Sequence, residues 1–271
     1  MPRPIITFTS DFGHEDWFVG VVHGVLHGVC PEARVVDLAH DIPPGNIGRA
    51  AFVLEAAAPD FPAGTIHLAV VDPGVGTARR ALAVRARGHL FVGPDNGILE
   101  WALAAADAEA RSLTEARYFR EQVSRTFHGR DVFAPAAAHL ACGVSIDQLG
   151  ARVSDPVRLE WAAPRLDEGA LLGRVAYIDR FGNALTNLKT DLVAATFPGV
   201  PEERLEIEVG TRSIPGISRS YGDAGVGTIV AIMGSSGRLE IAQVGGDAAS
   251  RLGLGEGDPV RVRKLAPPGA D

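Results

Sequence analysis

Two short segments of the chain carry side chains that could act together on a water molecule. They are residues 71–77, followed closely by Arg79, and residues 127–131. Together they offer the carboxylate of Asp72, the guanidinium of Arg79 and the imidazole of His128. These are the groups that orient and deprotonate water. The simpler alternatives are a surface ion pair between Asp72 and Arg79 and a purely structural His128.

Three turns rich in aspartate and glycine follow strand-like runs, at residues 10–13, 72–77 and 93–97. In an open parallel sheet, ligands bind outside the carboxyl ends of the strands, so parallel strands would place these turns at one edge. Asp11, in the first turn, could accept two hydrogen bonds from the vicinal diol of a ribose. Alternatively, these are ordinary turn residues, and Asp11 caps the helix that follows.

Two further turns in the second half of the chain carry candidate binding residues. Asp179 and Asn183 flank a turn at the end of a predicted strand, where a carboxylate could bind an ammonium group and an amide could bind the edge of a purine. An Asx-type turn is the alternative. Ser235 and Ser236 lie in a turn flanked by glycines, which resembles either a backbone anion nest or a hairpin turn.

Hydrophobic periodicity predicts an α/β fold in the first part of the chain. Short apolar, β-branched runs predict strands, and a period near 3.6 residues predicts helices between them. Strands that alternate with helices are typical of a largely parallel sheet. The predicted strands span residues 4–9, 34–37, 65–71, 81–84 and 89–92, and the predicted helices span residues 16–30, 46–58, 97–106 and 132–142.

The pattern changes in the second part of the chain, where short strands are separated by glycine turns. We expect an α/β domain at residues 1–155, a linker at 156–170 and a β-rich domain at 171–271, folded as a small barrel or sandwich. Residues 266–271 are expected to fray. The predicted strands here span residues 173–179, 204–209, 227–233, 239–244 and 259–264, with one short helix at 191–196.

Composition excludes several classes of protein. The net charge of −7 disfavours a general nucleic-acid binder, and no apolar run approaches the length of a membrane helix. The two cysteines lack metal-ligand spacing, which predicts no structural zinc and a reducing, cytoplasmic location. The start of the chain lacks the apolar core of a signal peptide. The dinucleotide, P-loop, nucleophile-elbow and zinc-protease motifs are all absent.

Five of these segments, in this order, resemble a known enzyme family. The chain is similar to the S-adenosyl-L-methionine (SAM) hydroxide adenosyltransferases, also called SAM hydrolases (adenosine-forming), which share a superfamily with the fluorinase and chlorinase. The resemblance implies an N-terminal α/β domain and a C-terminal β-barrel-like domain. It also implies a homotrimer that binds SAM between the N-terminal domain of one subunit and the C-terminal domain of its neighbour. The segments are residues 9–13, 72–77, 93–97, 127–131 and 178–183.

The implied reaction is substitution at the ribose C5′, in which water or hydroxide attacks, L-methionine leaves and adenosine forms. The resemblance assigns a role to each candidate site residue. The water-activating triad is Asp72, Arg79 and His128, and the implied substrate contacts are Asp11 to the ribose, Asp179 to the methionine amine, Asn183 to adenine, and Ser235 and Ser236 to the methionine carboxylate.

Departures from the halogenating members place the chain nearer to the hydrolases. Those members carry an aromatic residue at the position of Asp72 and lack the arginine and histidine partners. They also place a tryptophan over the ligand at the position of Gly45 and an arginine at that of Gln243.

The sulfonium of SAM is already an excellent leaving group, so we expect no metal and no cofactor beyond the substrate. The enzyme must align one water with C5′ and exclude the rest. Asp72 would either act as a base or only orient the water. A SAM-dependent halogenase and a non-catalytic protein that binds SAM or adenosine are the alternative functions.

Overall fold

A computed structural model describes residues 3–159 and 163–265 of the chain. The chain divides into two compact units, Met1–Glu160 and Trp161–Asp271. Within the described ranges, no helix is both long and apolar enough to cross a membrane.

The first unit is built on a seven-stranded sheet with helices on both faces. The strand order is β2-β1-β3-β5-β4-β6-β7. Strands β2, β1, β3 and β5 are parallel, and β4, β6 and β7 run antiparallel to their neighbours. The strands are β1 (Ile5–Ser10), β2 (Arg34–Ala39), β3 (Ile66–Val70), β4 (Ala81–Ala86), β5 (His89–Pro94), β6 (Glu109–Ser112) and β7 (Arg152–Val153), and the helices are α1 (Phe18–Val29), α2 (Ile47–Ala57), α3 (Glu100–Leu103) and α4 (Ala134–Ala141).

The central strand β3 is buried along its whole length, which explains its continuous apolar run. Leu68 faces a core that includes residues of α1 and α4, whereas Ala69 faces a second core that includes residues of α2 and α3. Successive side chains of a strand point to opposite faces, so β3 joins two layers of helices. The α/β fold is confirmed, and the ends of β1, β3 and β5 lie on one edge of the sheet as predicted.

Several helix boundaries differ from the sequence-based expectation. Helix α1 begins at Phe18 rather than Asp16. The helix expected at residues 97–106 is only the single turn α3, and Gly97 ahead of it has a φ of +95°, which is not helical. A π-helical segment, Gly129–Phe133, precedes α4. Helix α2 is capped by Asn46, whose side chain accepts a hydrogen bond from the backbone N–H of Arg49.

The hairpin formed by β4 and β5 is closed by a two-residue turn. Arg87 and Gly88 both have positive φ, at 55° and 77°. This is the geometry of the tight turns that match the twist of antiparallel strands. The turn sets the register of the hairpin, in which Ala81 lies opposite Pro94 and Ala86 opposite His89.

The second unit is an antiparallel, barrel-like structure. The strand order is β12-β11-β15-β9-β10-β14-β13, β8 pairs with β9, and the end strands β12 and β13 contact each other. Its core includes the fully buried side chains of Leu188, Ile207 and Ile241. The strands are β8 (Arg165–Asp167), β9 (Ala170–Ile178), β10 (Ala184–Lys189), β11 (Leu205–Val209), β12 (Arg212–Pro215), β13 (Ile229–Met233), β14 (Arg238–Gln243) and β15 (Pro259–Lys264), with helices α5 (Thr190–Thr196) and α6 (Ala248–Leu252).

Part of the segment expected as a linker, residues 156–170, is a β-hairpin. Strand β8 pairs with β9, which begins at Ala170. Glu168 and Gly169 join them with positive φ values of 45° and 78°, the geometry of a tight turn. Because of this turn, the charged residues that precede it form a strand paired with β9. Residues 160–162 of the expected linker, and the expected tail at 266–271, lie outside the described residues.

Candidate active site

The turn after β3 presents Asp72 at the carboxyl edge of the parallel strands. The backbone N–H of Val75 donates to the carbonyl of Asp72, and the N–H of Thr77 donates to the carbonyl of Gly74, both at 3.2 Å. The Thr77 hydroxyl also donates to the Gly74 carbonyl at 2.7 Å. These bonds fold the chain into a compact double turn, which brings Arg79 back towards Asp72.

Gly76 allows this turn to pack closely on the segment that carries His128. Its φ is +79°, and a Cβ at this position would lie 2.6 Å from the carbonyl oxygen of Arg125. Any other residue would be strained and would collide with backbone. The turn that carries Asp72 and the segment that carries His128 therefore meet at a contact that requires glycine.

Arg79 clamps the Asp72 carboxylate from the side. Its Nε donates to both carboxylate oxygens of Asp72, at 2.8 and 3.0 Å, and its Nη2 donates to Oδ2. The side chains are 11% exposed for Arg79 and 6% for Asp72. The guanidinium also lies over the ring of Phe133, 5.2 Å from the ring centre, so it is fixed from two directions.

His128 completes the cluster. Nη2 of Arg79 lies 2.9 Å from Nδ1 of His128. Because arginine has no acceptor, Nδ1 accepts this bond, and the neutral ring carries its proton on Nε2. Burial of the ring, followed by the charge of Arg79, lowers the pKa of His128 below the ordinary value of 6.5. The predicted convergence of Asp72, Arg79 and His128 is present in the structure.

The segment that holds His128 is itself anchored by a buried carboxylate. Asp131 is fully buried and accepts hydrogen bonds from the backbone N–H of Ser124 at 2.9 Å and from Nε of Arg130 at 2.7 Å. His128 immediately precedes the π-helical segment, a form of helix that is frequent at functional sites.

A cavity of about 390 Å³ opens beside the cluster. Asp72 and His128 line it, and so does Asp11 from the turn after β1. One carboxylate oxygen of Asp11 accepts a hydrogen bond from the backbone N–H of Gly45 at 2.8 Å. Asp11 does not cap α1, whose N-cap position is Trp17, so that alternative is wrong. The other lining residues are Phe12, Pro44, Gly45, Val70, Pro73, Val75, Thr126, Phe127 and Gly129.

The third turn at the same edge does not contribute to the cavity. Asp95 accepts hydrogen bonds from Nε of Arg80 at 2.6 Å and from the backbone N–H of Val157 at 2.7 Å. The side chain of Asn96 donates to the carbonyl of Val71 and accepts from the N–H of Ile98. These polar groups hold the chain together and are the ordinary turn residues of the alternative interpretation.

The candidate binding residues of the second unit lie in two turns. One Asp179 oxygen accepts from the backbone N–H groups of Phe181 and Asn183, at 2.8 and 2.9 Å, and the other accepts from the side-chain amide of Asn183 at 3.0 Å. This is the Asx-type turn of the alternative interpretation. Ser235 and Ser236 lie in the turn between β13 and β14, and the buried Ser236 hydroxyl oxygen finds no hydrogen-bond partner among the described residues.

Neither unit shows a metal-binding cluster in its described part: no group of three or more histidine, cysteine, aspartate or glutamate side chains in residues 3–159 and 163–265 is placed to hold an ion.

Comparison with known proteins identifies the family. The model of the SAM hydroxide adenosyltransferase N-terminal domain matches residues 6–150, and that of the C-terminal domain matches residues 173–261. The chain belongs to the SAM hydroxide adenosyltransferase family. An (R)-S-adenosyl-L-methionine hydrolase of Thermus thermophilus is 45% identical, and the match covers 96% of this chain and 99% of the relative. One from Salinispora tropica is 42% identical over 96% and 98% of the two chains.

More distant members and a solved structure agree with this assignment. A fluorinase of Nocardia brasiliensis is 30% identical, with 96% of this chain and 97% of the relative covered. The crystal structure of an uncharacterized conserved protein from Thermotoga maritima superposes with a TM-score of 0.90 at 35% identity, covering 96% of this chain and all of that chain. The adenosyltransferase fold is thus shared over nearly the whole chain.

Sequence reasoning missed the apolar part of the adenosyltransferase cavity. Phe12 and Phe127 both line it, and their rings meet edge to face at 5.7 Å between centres. A Cβ on Gly129 would lie 3.1 Å from Phe12 and 3.4 Å from Phe127, so Gly129 leaves room for both rings. Their position in the sequence could have identified them, because Phe12 directly follows Asp11 and Phe127 directly precedes His128.

Proposed function

We propose that the protein hydrolyses SAM to adenosine and L-methionine. The observation that carries the proposal is the convergence of Asp72, Arg79 and His128 at a cavity that Asp11 also lines. An ionised carboxylate and a neutral imidazole suit the binding of a water molecule. A halide ion would instead face the negative charge of Asp72.

The reaction forms a bond between the water oxygen and C5′ and breaks the bond between C5′ and sulfur. The electron pair of the breaking bond stays on sulfur, so the sulfonium becomes the neutral thioether of methionine. The attacking water loses one proton, to Asp72 as a base or to other water while Asp72 orients the attack, and no group needs to protonate the leaving sulfur. The work of the protein is therefore alignment of the water and exclusion of other water molecules.

His128 serves in this proposal as a hydrogen-bond donor. Its Nδ1 is occupied by Arg79, so Nε2–H is the group that is free to hold a water oxygen. Asp72 is the acceptor that faces the water protons. Arg79 offsets the charge of Asp72 and holds both partners in place, because it bonds to each of them.

The remaining residues are proposed to bind the substrate. Asp11 takes the ribose hydroxyls, which suits a carboxylate on the cavity wall that Gly45 holds through Oδ2. Asp179 and Asn183 take the methionine amine and adenine. Ser235 and Ser236 take the methionine carboxylate, and the unpartnered hydroxyl of Ser236 supports this assignment. No cofactor beyond SAM is proposed.

The family resemblance further supports a homotrimer, and the two free cysteines support a reducing, cytoplasmic location. Light scattering on the purified protein tests the trimer, and a monomer at enzyme-assay concentrations would refute it.

Incubation with SAM in water enriched in oxygen-18 tests the reaction. The expected result is adenosine labelled at the 5′-hydroxyl, together with L-methionine. Unlabelled adenosine, or none, would refute hydrolysis at C5′. A 5′-halo-adenosine formed only with added halide would indicate a halogenase, and saturable binding without turnover would indicate a binding protein.

A further inference from the structure

Glu240 is a buried carboxylic acid on a strand that is otherwise apolar. It lies on β14, between Leu239 and Ile241, and is only 7% exposed. The hydroxyl of Tyr221 donates to its Oε1 at 2.5 Å. Buried carboxylates are costly unless their oxygens are paired, so the second oxygen, Oε2, is the part of this side chain that needs an explanation.

Oε2 faces the turn that carries Ser235 and Ser236. A Cβ on Gly234 would lie 2.5 Å from it, so a glycine is what lets the carboxylate approach this turn. Within residues 3–159 and 163–265, Tyr221 is the hydrogen-bond partner found for the Glu240 carboxylate, and it bonds to Oε1. The buried hydroxyl of Ser236 likewise has no hydrogen-bond partner in these two ranges. Hydrogen-bonding capacity is therefore unused at the turn.

The surroundings of Glu240 disfavour its negative charge. Burial and the negative charge of Asp179 raise the pKa of Glu240, against the effect of the Tyr221 hydrogen bond. Burial, Glu240 and Asp179 likewise raise the pKa of Tyr221. Asp179 has its oxygens bonded within its own turn, whereas Glu240 has one oxygen bonded to a neutral hydroxyl. A cation placed between the carboxylates of Asp179 and Glu240 would offset the negative charge of both.

We propose that Glu240, held in place by Tyr221, is a second carboxylate that recognises the ammonium group of SAM together with Asp179. The inference rests on the proposed function, which places the methionine part of SAM at Asp179 and Ser236. It adds a residue that sets specificity for a ligand carrying an amine. Tyr221 is a positioning residue in this proposal, because it acts through Glu240.

Glu240→Gln tests the charge while keeping the size of the side chain and an oxygen that can accept from Tyr221. The KM for SAM is expected to rise about tenfold, with kcat nearly unchanged, since a charge-assisted hydrogen bond that is equally strong in the ground state and the transition state is lost. The inhibition constant of the SAM analogue with a 2-oxo group in place of the amine is expected to stay the same. Glu203→Gln, an exposed glutamate of the same unit, is the matched control.

Tyr221→Phe keeps the Glu240 charge and removes its hydrogen bond. It is expected to raise the KM for SAM by a smaller factor, again without effect on the 2-oxo analogue, and it provides a test if Glu240→Gln does not fold. Equal weakening of both ligands would mean a structural role and overturn the proposal, as would an unchanged KM in both variants. A wild-type protein that forms no adenosine would refute the proposed function instead.

Discussion

Arg79 and Arg80 are consecutive residues, and each clamps an aspartate at the carboxyl edge of the same sheet. Arg79 bonds Asp72 after β3, and Arg80 bonds Asp95 at the end of β5. Both aspartate side chains are nearly inaccessible, at 6% and 2% exposed. In residue type, position and burial of the carboxylate the two pairs are almost equivalent, although Arg80 is 36% exposed and Arg79 only 11%.

They differ in what else the partners touch. Arg80 continues to the carboxylate and carbonyl of Asp155, and Asp95 also accepts from the backbone of Val157, so this pair ties a distant stretch of chain to the sheet. Arg79 continues to His128, and Asp72 faces a cavity. An ion pair at a sheet edge is therefore weak evidence for a site, and polar groups left facing a cavity are strong evidence.

The largest effect expected from this comparison is on turnover. Asp72→Asn should lower kcat for adenosine formation by about 10³-fold, the range of a lost proton acceptor in the transition state. Asp95→Asn should leave kcat within about twofold and lower the free energy of unfolding by roughly 1–3 kcal/mol, since it weakens a buried hydrogen-bonding group. Enzyme kinetics and urea unfolding of both variants test this prediction. Equal losses of kcat would show that the Arg79–Asp72 and Arg80–Asp95 pairs do not differ in function.

The next effect concerns the contact that joins the two parts of the cluster. Gly76→Ala should lower kcat by about 10²-fold, because the new Cβ would displace the turn that carries Asp72. Gly143→Ala is the matched control: its φ is also positive, at +89°, but its Cβ would meet nothing within 4 Å. The control should cost roughly 1 kcal/mol of stability and keep its activity. A Gly76→Ala enzyme with normal kcat would show that the close approach is dispensable.

A smaller effect is expected with pH. His128 must be neutral to accept from Arg79, and its pKa is lowered in the folded protein. Turnover should therefore be retained as the pH falls to the ordinary histidine pKa of 6.5 and should decline only below it, by up to about tenfold per pH unit. A kcat profile from pH 4 to 8, at roughly even steps, measures this. A midpoint above the ordinary value would contradict the assignment of the neutral ring.

The smallest effect on turnover is expected at a histidine outside the lining of the site cavity, where the change is in stability. His67 is fully buried, bonded through Nδ1 to the Thr7 hydroxyl at 2.8 Å, and burial lowers its pKa to about 3. The unfolded chain takes up this proton first, so stability should be complete above the ordinary pKa of 6.5 and fall as the pH drops towards 3, by up to about 1.4 kcal/mol per pH unit. His67→Leu should reduce the dependence of the unfolding free energy on pH, as measured by urea unfolding. An unchanged dependence would mean that other groups cause the sensitivity to acid.

The sequence predicts well which turns lie at the carboxyl edge of the sheet, and it predicts poorly which of those turns form the candidate site. The apolar runs before Asp11 and Asp72 are long enough to indicate parallel buried strands, so the shared edge follows from local pattern. The role of Asp95 depends on Val157, whose backbone returns from a distant part of the chain. No local signal carries that information. The same holds for Glu240, which alternates with apolar neighbours as an exposed strand residue would.

The two-residue turn at Arg87 and Gly88 decides which arginine takes part in the proposed chemistry. A shift of β4 by one position would move Arg80 into the place of Arg79, beside Asp72, and Ala81 into the place of Arg80, so that Asp95 would lose its arginine. The turn lies at the far end of the hairpin, about 20 Å from the carboxylates of Asp72 and Asp95. Lengthening this loop by one residue could therefore replace Arg79 by Arg80 at the proposed active site, and remove the arginine from Asp95, without changing either arginine itself.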